Sequence, residues 1–231
     1  SGAGALHISP NHQYPTGLVT PIARRQALLR WAEDTGGTII EDDYDSEFRY
    51  KGKPIPALQG MDQTGSVVYM GTFSKAIAPA IRVGYMVLPE SLLSVYRKKG
   101  RFYSSTVSRV DQRILAKFIS GGYFERHLNR MREIYKGKHD VLLGALKPLE
   151  KRFEIKGEYA GLHVLLTDRK GEAEQALLAK AEEKKVRVYG LSGFCMEERR
   201  AKESHTIVLG YAGLTEEEIR KGVGLLREAL E

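Results

Sequence analysis

The sequence predicts an α/β fold: a mostly parallel sheet with flanking helices, followed by a small α+β C-terminal domain. Three observations predict it. Short β-branched runs alternate with a helix-period segment over the first 88 of 231 residues. Helical pattern then dominates from Glu90 to about Glu150, broken at Gly121-Gly122. Short strand-like runs and two helix-like segments make up the tail. We expect a large domain over 1–125, and a linking helix with the small domain over 126–231.

In order, Leu6 to Ser9 reads as a short strand, closed by Pro10 and a polar loop to Gly17. Ile22 to Thr35 reads as a helix, because Ala27, Leu28 and Trp31 recur at helical spacing and Gly36-Gly37 ends it. Thr38-Ile39-Ile40 starts a strand that runs into acidic residues. Ser66–Gly71 and Arg82–Leu88 are further strands, the second stopped by Pro89. Tyr123 to Leu149 carries Leu128, Met131, Tyr135, Leu142 and Leu146 at helix-compatible intervals and is long enough to link two domains. Phe153–Ile155 and Leu162–Leu166 read as strands, Gly171–Lys185 as a helix, and Val186–Tyr189 and Thr206–Tyr211 as strands. Thr215 caps a last helix to about Leu230, with Glu218 completing a capping box. The opening Ser1-Gly2-Ala3-Gly4-Ala5 reads as a cloning remnant or a loop.

Composition narrows the function classes. A hydrophobic fraction of 42% supports a sizeable core. The single cysteine, Cys195, excludes an internal disulfide framework and points to a reducing, cytoplasmic setting. It reads as a small buried hydrophobe or an idle thiol. No apolar run approaches the roughly 20 residues that span a bilayer, so no membrane partner is expected. The net charge is +7 and the pI about 9.3. Its basic clusters are short: Arg97, Lys98, Lys99 and Arg101, then Lys151-Arg152, then Arg199-Arg200. They read as solvated faces rather than a nucleic-acid surface, although an anionic phosphate on a cofactor or on DNA suits the balance.

Three segments carry chemistry. In Thr38–Asp45, T-I-I-E-D-D-Y-D, residues two apart on a strand share a face, which pairs Asp42 with Tyr44 at the strand's C-terminal end. Ligands bind at that edge of open α/β sheets. An acid there stabilises a protonated ring nitrogen, and a phenol hydrogen-bonds a ring hydroxyl; alone, the segment also reads as a solvated acidic loop. In Met70–Gly84, M-G-T-F-S-K-A-I-A-P-A-I-R-V-G, a turn after a strand positions Lys75 for Schiff-base chemistry, with Thr72 and Arg82 as a phosphate clamp. Pro10–Gly17, P-N-H-Q-Y-P-T-G, is a rigid loop in which His12 by itself does not indicate catalysis.

The S-K-x-x-x-P-x-x-R-x-G pattern from Ser74 to Gly84 resembles the cofactor-lysine segment of fold-type I pyridoxal-phosphate enzymes, the aspartate aminotransferase superfamily. More narrowly, His12-Gln13-Tyr14-Pro15, the segment Glu41–Phe48 and Gly71–Lys75 look like the MocR/GabR regulators, in which an aminotransferase-like domain follows a winged-helix DNA-binding domain of the GntR type. The resemblance extends from about Leu6 to Glu231. It implies pyridoxal 5′-phosphate as cofactor. It further implies Lys75 as the internal-aldimine lysine, Asp42 against the pyridine nitrogen, Tyr44 on the ring hydroxyl, and Arg82 and Thr72 on the phosphate. It implies no metal site.

Three departures matter. Tyr14 stands where aminotransferases usually have an asparagine, and is carried over as a ring contact. In Gly210–Leu214, Gly213 stands where the family has the arginine that binds a substrate carboxylate; Arg199 or Arg200 is the nearest substitute. The chain lacks the family's glycine-rich phosphate turn and winged helix and so reads as a C-terminal fragment. Two functions follow: an effector-sensing regulatory domain, homodimeric and responsive to a small amino compound, with DNA contacted only through the winged helix; or a working aminotransferase. Direct DNA binding by the fragment rests on the charge alone.

Overall fold

The computed structural model describes residues 2–52, 55–198, 201 and 203–231. They divide into two units. One comprises Ser1–Gln13, Leu18–Glu47 and Lys53–Met131, the other Tyr14–Gly17, Phe48–Gly52 and Arg132–Glu231.

In the first unit, β1 (Ala5–Ile8), β2 (Thr38–Asp43), β3 (Val67–Thr72) and β4 (Gly84–Val87) form a sheet in that spatial order. The first three run parallel and β4 runs antiparallel to β3. The sheet is therefore mixed at β4. Of the opening residues, Gly2–Gly4 form no regular element, whereas Ala5 begins β1 and the Gly4 carbonyl accepts from Thr38 N at 3.0 Å. Helix α1 (Ile22–Thr35) crosses over between β1 and β2. It stops at Gly36, which adopts φ 66° and returns its N–H to the Ala32 carbonyl. Its inner face buries Ala32 against Ile39, Leu58 and Val67, with Leu28, Leu29 and Trp31 packed beside them. The short α2 (Leu58–Met61) starts on the Glu41 carboxylate, which accepts from Leu58 N and Gln59 N at 2.9 Å each. Single-turn α3 (Phe73–Ala76) follows β3 directly; α4 (Glu90–Lys99) and α5 (Arg109–Ser120) follow β4. Helix α6 (Tyr123–Leu146) crosses the division between the units.

The second unit is an antiparallel sheet in the order β5 (Phe153–Lys156), β6 (His163–Asp168), β8 (Thr206–Gly210), β7 (Tyr189–Gly190). Its core gathers Leu146, Phe153, Val164, Leu166, Ile207 and Leu226. Helix α7 (Glu174–Glu183) starts later than the sequence pattern indicates, after Gly171 turns at φ 73°. The strand expected at Val186–Tyr189 shrinks to two paired residues: Val186 and Val188 pack on the core but make no ladder. Helix α8 (Glu216–Leu230) opens with the expected Thr215–Glu218 capping box.

Arg152 is not part of a solvated basic face. Its guanidinium binds Asp168 at 2.9 Å and also reaches Glu172 and the Leu230 carbonyl. Burial alone pushes the Asp168 carboxyl up, but Arg152 and the Glu172 N–H outweigh it and hold the group below its ordinary range. Arg97, Lys98 and Lys99 do lie exposed, in the last turn of α4. Arg199 and Arg200 fall outside the described residues. Cys195 is half-buried. Among the described residues no helix is long and apolar enough to cross a membrane.

His139 gives this unit a pH dependence. It is buried, its ring stacks on Tyr50 with centroids 4.4 Å apart, Nδ1 lies 3.6 Å from Asp140 Oδ1, and neither ring nitrogen makes a hydrogen bond among the described residues. Burial pushes its imidazole below the ordinary range. The unfolded chain therefore takes up this proton first, near pH 6.5, and stability falls as pH drops from there towards the folded pKa. The slope from this group is at most about 1.4 kcal/mol per pH unit. Urea melts at pH 7 and pH 5 are expected to show this loss. His139→Phe, which keeps an aromatic ring for Tyr50, is expected to show less of it; equal losses in both proteins would remove His139 as the source.

Candidate functional site

Sheet register brings the chemistry-bearing residues to one edge. Ile8 is level with Glu41, Asp43 with Gly71, and Thr72 with Gly84. The C-terminal ends of β1, β2 and β3 and the start of β4 thus share an edge. His12, Asp42, Tyr44, Asp45, Thr72, Lys75 and Arg82 all leave the sheet there or a few residues beyond it. This is the edge at which open α/β sheets bind ligands.

The acidic segment splits by face. Along β2, Ile39, Glu41 and Asp43 are buried and Ile40 and Asp42 half-buried. Asp42 meets the ring of His7, with Nε2 3.4 Å from Oδ2. Asp43 accepts from Ser46 Oγ and Tyr69 Oη, each at 2.7 Å. Burial, strengthened by that carboxylate, pushes the Tyr69 phenol far above its ordinary range, so it stays a donor. Strand β2 ends at Asp43, so strand alternation does not extend to Tyr44 as the sequence pattern implied.

Tyr44 turns instead to the loop after β1. Its hydroxyl donates to the His12 carbonyl at 2.8 Å and lies 3.1 Å from His12 Nδ1. His12 Nδ1 is 2.8 Å from Asp45 Oδ2, and both residues are buried. With Asp45 ionised the carboxylate accepts and Nδ1 is the donor. Burial pushes the Asp45 carboxyl up; the His12 hydrogen bond and the positive charge of Lys75 oppose that shift, and Asp43 adds to it. In the sequence, His12 and Asp45 stand out only as members of the loop after β1 and of the acidic run.

Lys75 lies on α3, exposed. Thr72 caps that helix: its Oγ1 accepts from Ser74 N at 3.1 Å and lies 3.0 Å from Ser74 Oγ and 3.3 Å from the Val83 carbonyl. Its hydroxyl is thus already engaged locally. Arg82 is exposed at φ 50°, a left-handed conformation uncommon for a residue with a Cβ. Neither the Lys75 nor the Arg82 side chain makes a hydrogen bond or ion pair among the described residues. An amine and a guanidinium, both uncommitted at an edge that also holds Asp42 and Tyr44, fit an aldehyde-bearing, phosphorylated, protonated heterocycle.

A residue with no site signal organises the edge. Arg25 is fully buried inside α1. Its Nε donates to the Thr20 carbonyl at 3.0 Å, Nη1 to Pro56 at 2.8 Å, and Nη2 to Pro10 at 2.9 Å and Asn11 Oδ1 at 2.8 Å. It thereby fixes the loop that carries His12.

Two positions belong to the second unit. Tyr14 lies edge-on to the rings of His163 and Phe194, with centroids 5.0 and 5.1 Å away. Gly213 sits between β8 and α8, with no heavy atom within 4 Å of where a Cβ would stand. The neighbouring Ala212 carbonyl accepts from Lys138 Nζ at 2.9 Å.

The family model described as aminotransferase class I and II matches residues 6–226. The uncharacterized HTH-type transcriptional regulator YhdI of Bacillus subtilis is 41% identical over 225 residues, covering 97% of this chain and 47% of that protein. The probable rhizopine catabolism regulatory protein MocR of Rhizobium meliloti is 33% identical over 225 residues, covering 97% and 45%. Among solved structures, the α-aminoadipate aminotransferase LysN of Thermus thermophilus, complexed with N-(5′-phosphopyridoxyl)-L-leucine, aligns with a TM-score of 0.83 at 28% identity, covering 97% and 58%. The chain spans about half the length of the curated relatives it matches.

Proposed function

The chain belongs to the aminotransferase class I and II family, and on that premise we propose that its first unit binds pyridoxal 5′-phosphate at Lys75 as the sensing part of a GntR-type transcriptional regulator. When bound, this cofactor supplies an aldehyde that condenses with primary amines. Lys75 would be the covalent attachment point. Asp42 would hold the proton at the pyridine nitrogen. Tyr44 would offer its hydroxyl to the ring oxygen. Arg82 would hold the phosphate, and Thr72, whose hydroxyl caps α3, would contribute secondarily.

The uncommitted Lys75 and Arg82 at one sheet edge with Asp42 and Tyr44 are the observation that carries the cofactor reading. The regulatory reading is supported by YhdI and MocR, named as regulators and more similar in sequence than LysN. The sensed ligand is a small amino compound. In a homodimeric, cytoplasmic regulator it acts by binding one of two states better than the other, which alters DNA contacts made through a winged helix. The alternative, a working aminotransferase, is supported by the intact Lys75, Asp42, Tyr44 and Arg82 set; Gly213, which offers no cation to a substrate carboxylate, weighs against it.

The test is borohydride reduction of the full-length protein with pyridoxal 5′-phosphate, followed by peptide mapping. An adduct is expected at Lys75 and none in Lys75→Ala. An adduct elsewhere, or none, overturns the cofactor assignment. Rapid pyridoxamine-phosphate formation with any common amino acid would replace the regulator with the enzyme.

A further inference from the structure

We propose that Asp43 and Tyr69 are positioning residues that aim the Tyr44 hydroxyl: Asp43 closes the bend that carries Tyr44, and Tyr69 ties that bend to the strand leading to Lys75. The inference rests on the reading of Tyr44 as the residue that meets the cofactor's ring oxygen, and adds what holds that hydroxyl in place.

Strand β2 ends at Asp43, and Tyr44 and Asp45 follow in a bend. The Asp43 side chain spans that bend. Its Oδ1 accepts from Ser46 N at 3.2 Å, and its Oδ2 from Ser46 Oγ at 2.7 Å. The two residues enclosed are Tyr44 and Asp45, so the clasp restricts the backbone from which the Tyr44 phenol projects. The clasp is itself anchored, because Tyr69 Oη donates to Asp43 Oδ2 at 2.7 Å. Tyr69 stands on β3, level with Glu41 of β2, and β3 runs directly into α3, which carries Lys75. One phenol thus ties the segment bearing Tyr44 to the segment bearing Lys75. The Tyr69 ring has a defined seat. Its centroid lies 6.2 Å from that of Tyr85 on the neighbouring β4, and the Tyr85 ring in turn lies 5.4 Å from Phe73. Inside the bend, Asp45 meets His12 Nδ1 at 2.8 Å, and the Tyr44 hydroxyl reaches the His12 carbonyl at 2.8 Å.

Asp43 is buried, whereas Asp42 and Tyr44 on either side of it are half-buried. A carboxylate taken out of water is costly unless it is paired. Here three donors converge on its two oxygens, and an apolar side chain would fill the space without that cost. Asp43 and Tyr69 are engaged with each other and with Ser46, so they act on the site through its geometry. A hydroxyl that must meet a ring oxygen needs its backbone held to about 0.5 Å.

The experiment reads Tyr44 itself, in full-length protein and first without cofactor. With tyrosine labelled by carbon-13 at Cζ, the Tyr44 NMR signal is identified by its loss in Tyr44→Phe. Tyr69→Phe keeps the ring and removes the donor, and is expected to shift the Tyr44 signal. Asp43→Asn is expected to shift it too, because a carboxamide offers one oxygen where three donors meet. Asp62→Asn loosens the turn before β3 without touching the clasp, and is expected to leave the signal in place. An unmoved Tyr44 signal in Tyr69→Phe overturns the proposal. Should that variant fail to fold, Ser46→Ala opens the clasp from its other side, and an unmoved signal there overturns the proposal equally. The second readout is pyridoxal 5′-phosphate affinity by equilibrium dialysis. Tyr44→Phe is expected to weaken binding about tenfold, the weight of one hydrogen bond to a charged oxygen, and Tyr69→Phe about threefold. In the double variant the Tyr69 loss is expected to vanish, because Tyr69 acts through Tyr44. Losses that multiply in full would leave Tyr69 a structural residue only, and overturn the proposal. Failure of the cofactor reading is separate: it appears as a missing Lys75 adduct, while the Tyr44 signal still reports on the clasp.

Discussion

Gly17→Ala is expected to destabilise the protein by about 2–4 kcal/mol, the sum of a backbone and a packing penalty. Gly17 sits at φ 68°, where a residue with a Cβ is strained. The added Cβ would also stand 2.6 Å from Gly157 Cα and 3.4 Å from Gly157 N. Both neighbours are main chain, so no rotamer change relieves the clash. Gly157 is itself at φ 80°, in the turn before β6. Gly36 provides the control: its φ is 66°, but a Cβ there meets nothing within 4 Å. Gly36→Ala is therefore expected to cost only the backbone part, about 1–2 kcal/mol. Guanidinium melts of both variants decide the matter. Equal losses would mean that the approach of residues 17 and 157 carries no energy.

Arg25→Met is expected to cost about 3–5 kcal/mol, the range for removing one member of a buried charged network. Methionine fills much of the volume but donates nothing. The carbonyls of Pro10, Thr20 and Pro56 would lose a charged donor together; Pro10 keeps the Thr20 N–H at 2.8 Å, and a buried acceptor left bare, as at Thr20, costs about 1–3 kcal/mol. Glu41, buried on the same unit and eased towards its ionised form by the charge of Arg25, would lose that support. Arg25→Lys keeps the charge without the planar fork, so an intermediate loss is expected. Because Pro10 and Asn11 lead into His12, the Lys variant is also expected to move the His12 ring signals in NMR spectra. A loss under about 1 kcal/mol for Arg25→Met would mean that water replaces the guanidinium in full.

Much of the fold was legible because its signals are local. The limits of α1 follow from periodic Leu28 and Trp31 and from the glycine after Thr35. The capping box of α8 follows from residues three apart. Segments that proved different did so for non-local reasons. Val186 and Val188 have strand-like side chains, but packing on the core does not require a ladder, and only Tyr189 and Gly190 pair with β8. Ala5, in an opening that resembles a tag, becomes strand because Thr38 offers a partner.

The candidate site divides in the same way. Asp42, Thr72, Lys75 and Arg82 were marked by residue type and spacing around strand ends, and the register of parallel strands then places strand ends together. Sequence by itself thus determined which segments are candidates to carry chemistry and in what order the chain visits them. Tertiary structure alone decided that Arg25, in a helix segment that reads as ordinary and charged, is buried. It also decided that His12 pairs with Asp45, and that the Tyr44 hydroxyl donates a hydrogen bond to a loop carbonyl. The physical reason is range. Helix periodicity, caps and turns act over a few residues, whereas burial of a charge and the choice of its partner depend on which distant segments close over it.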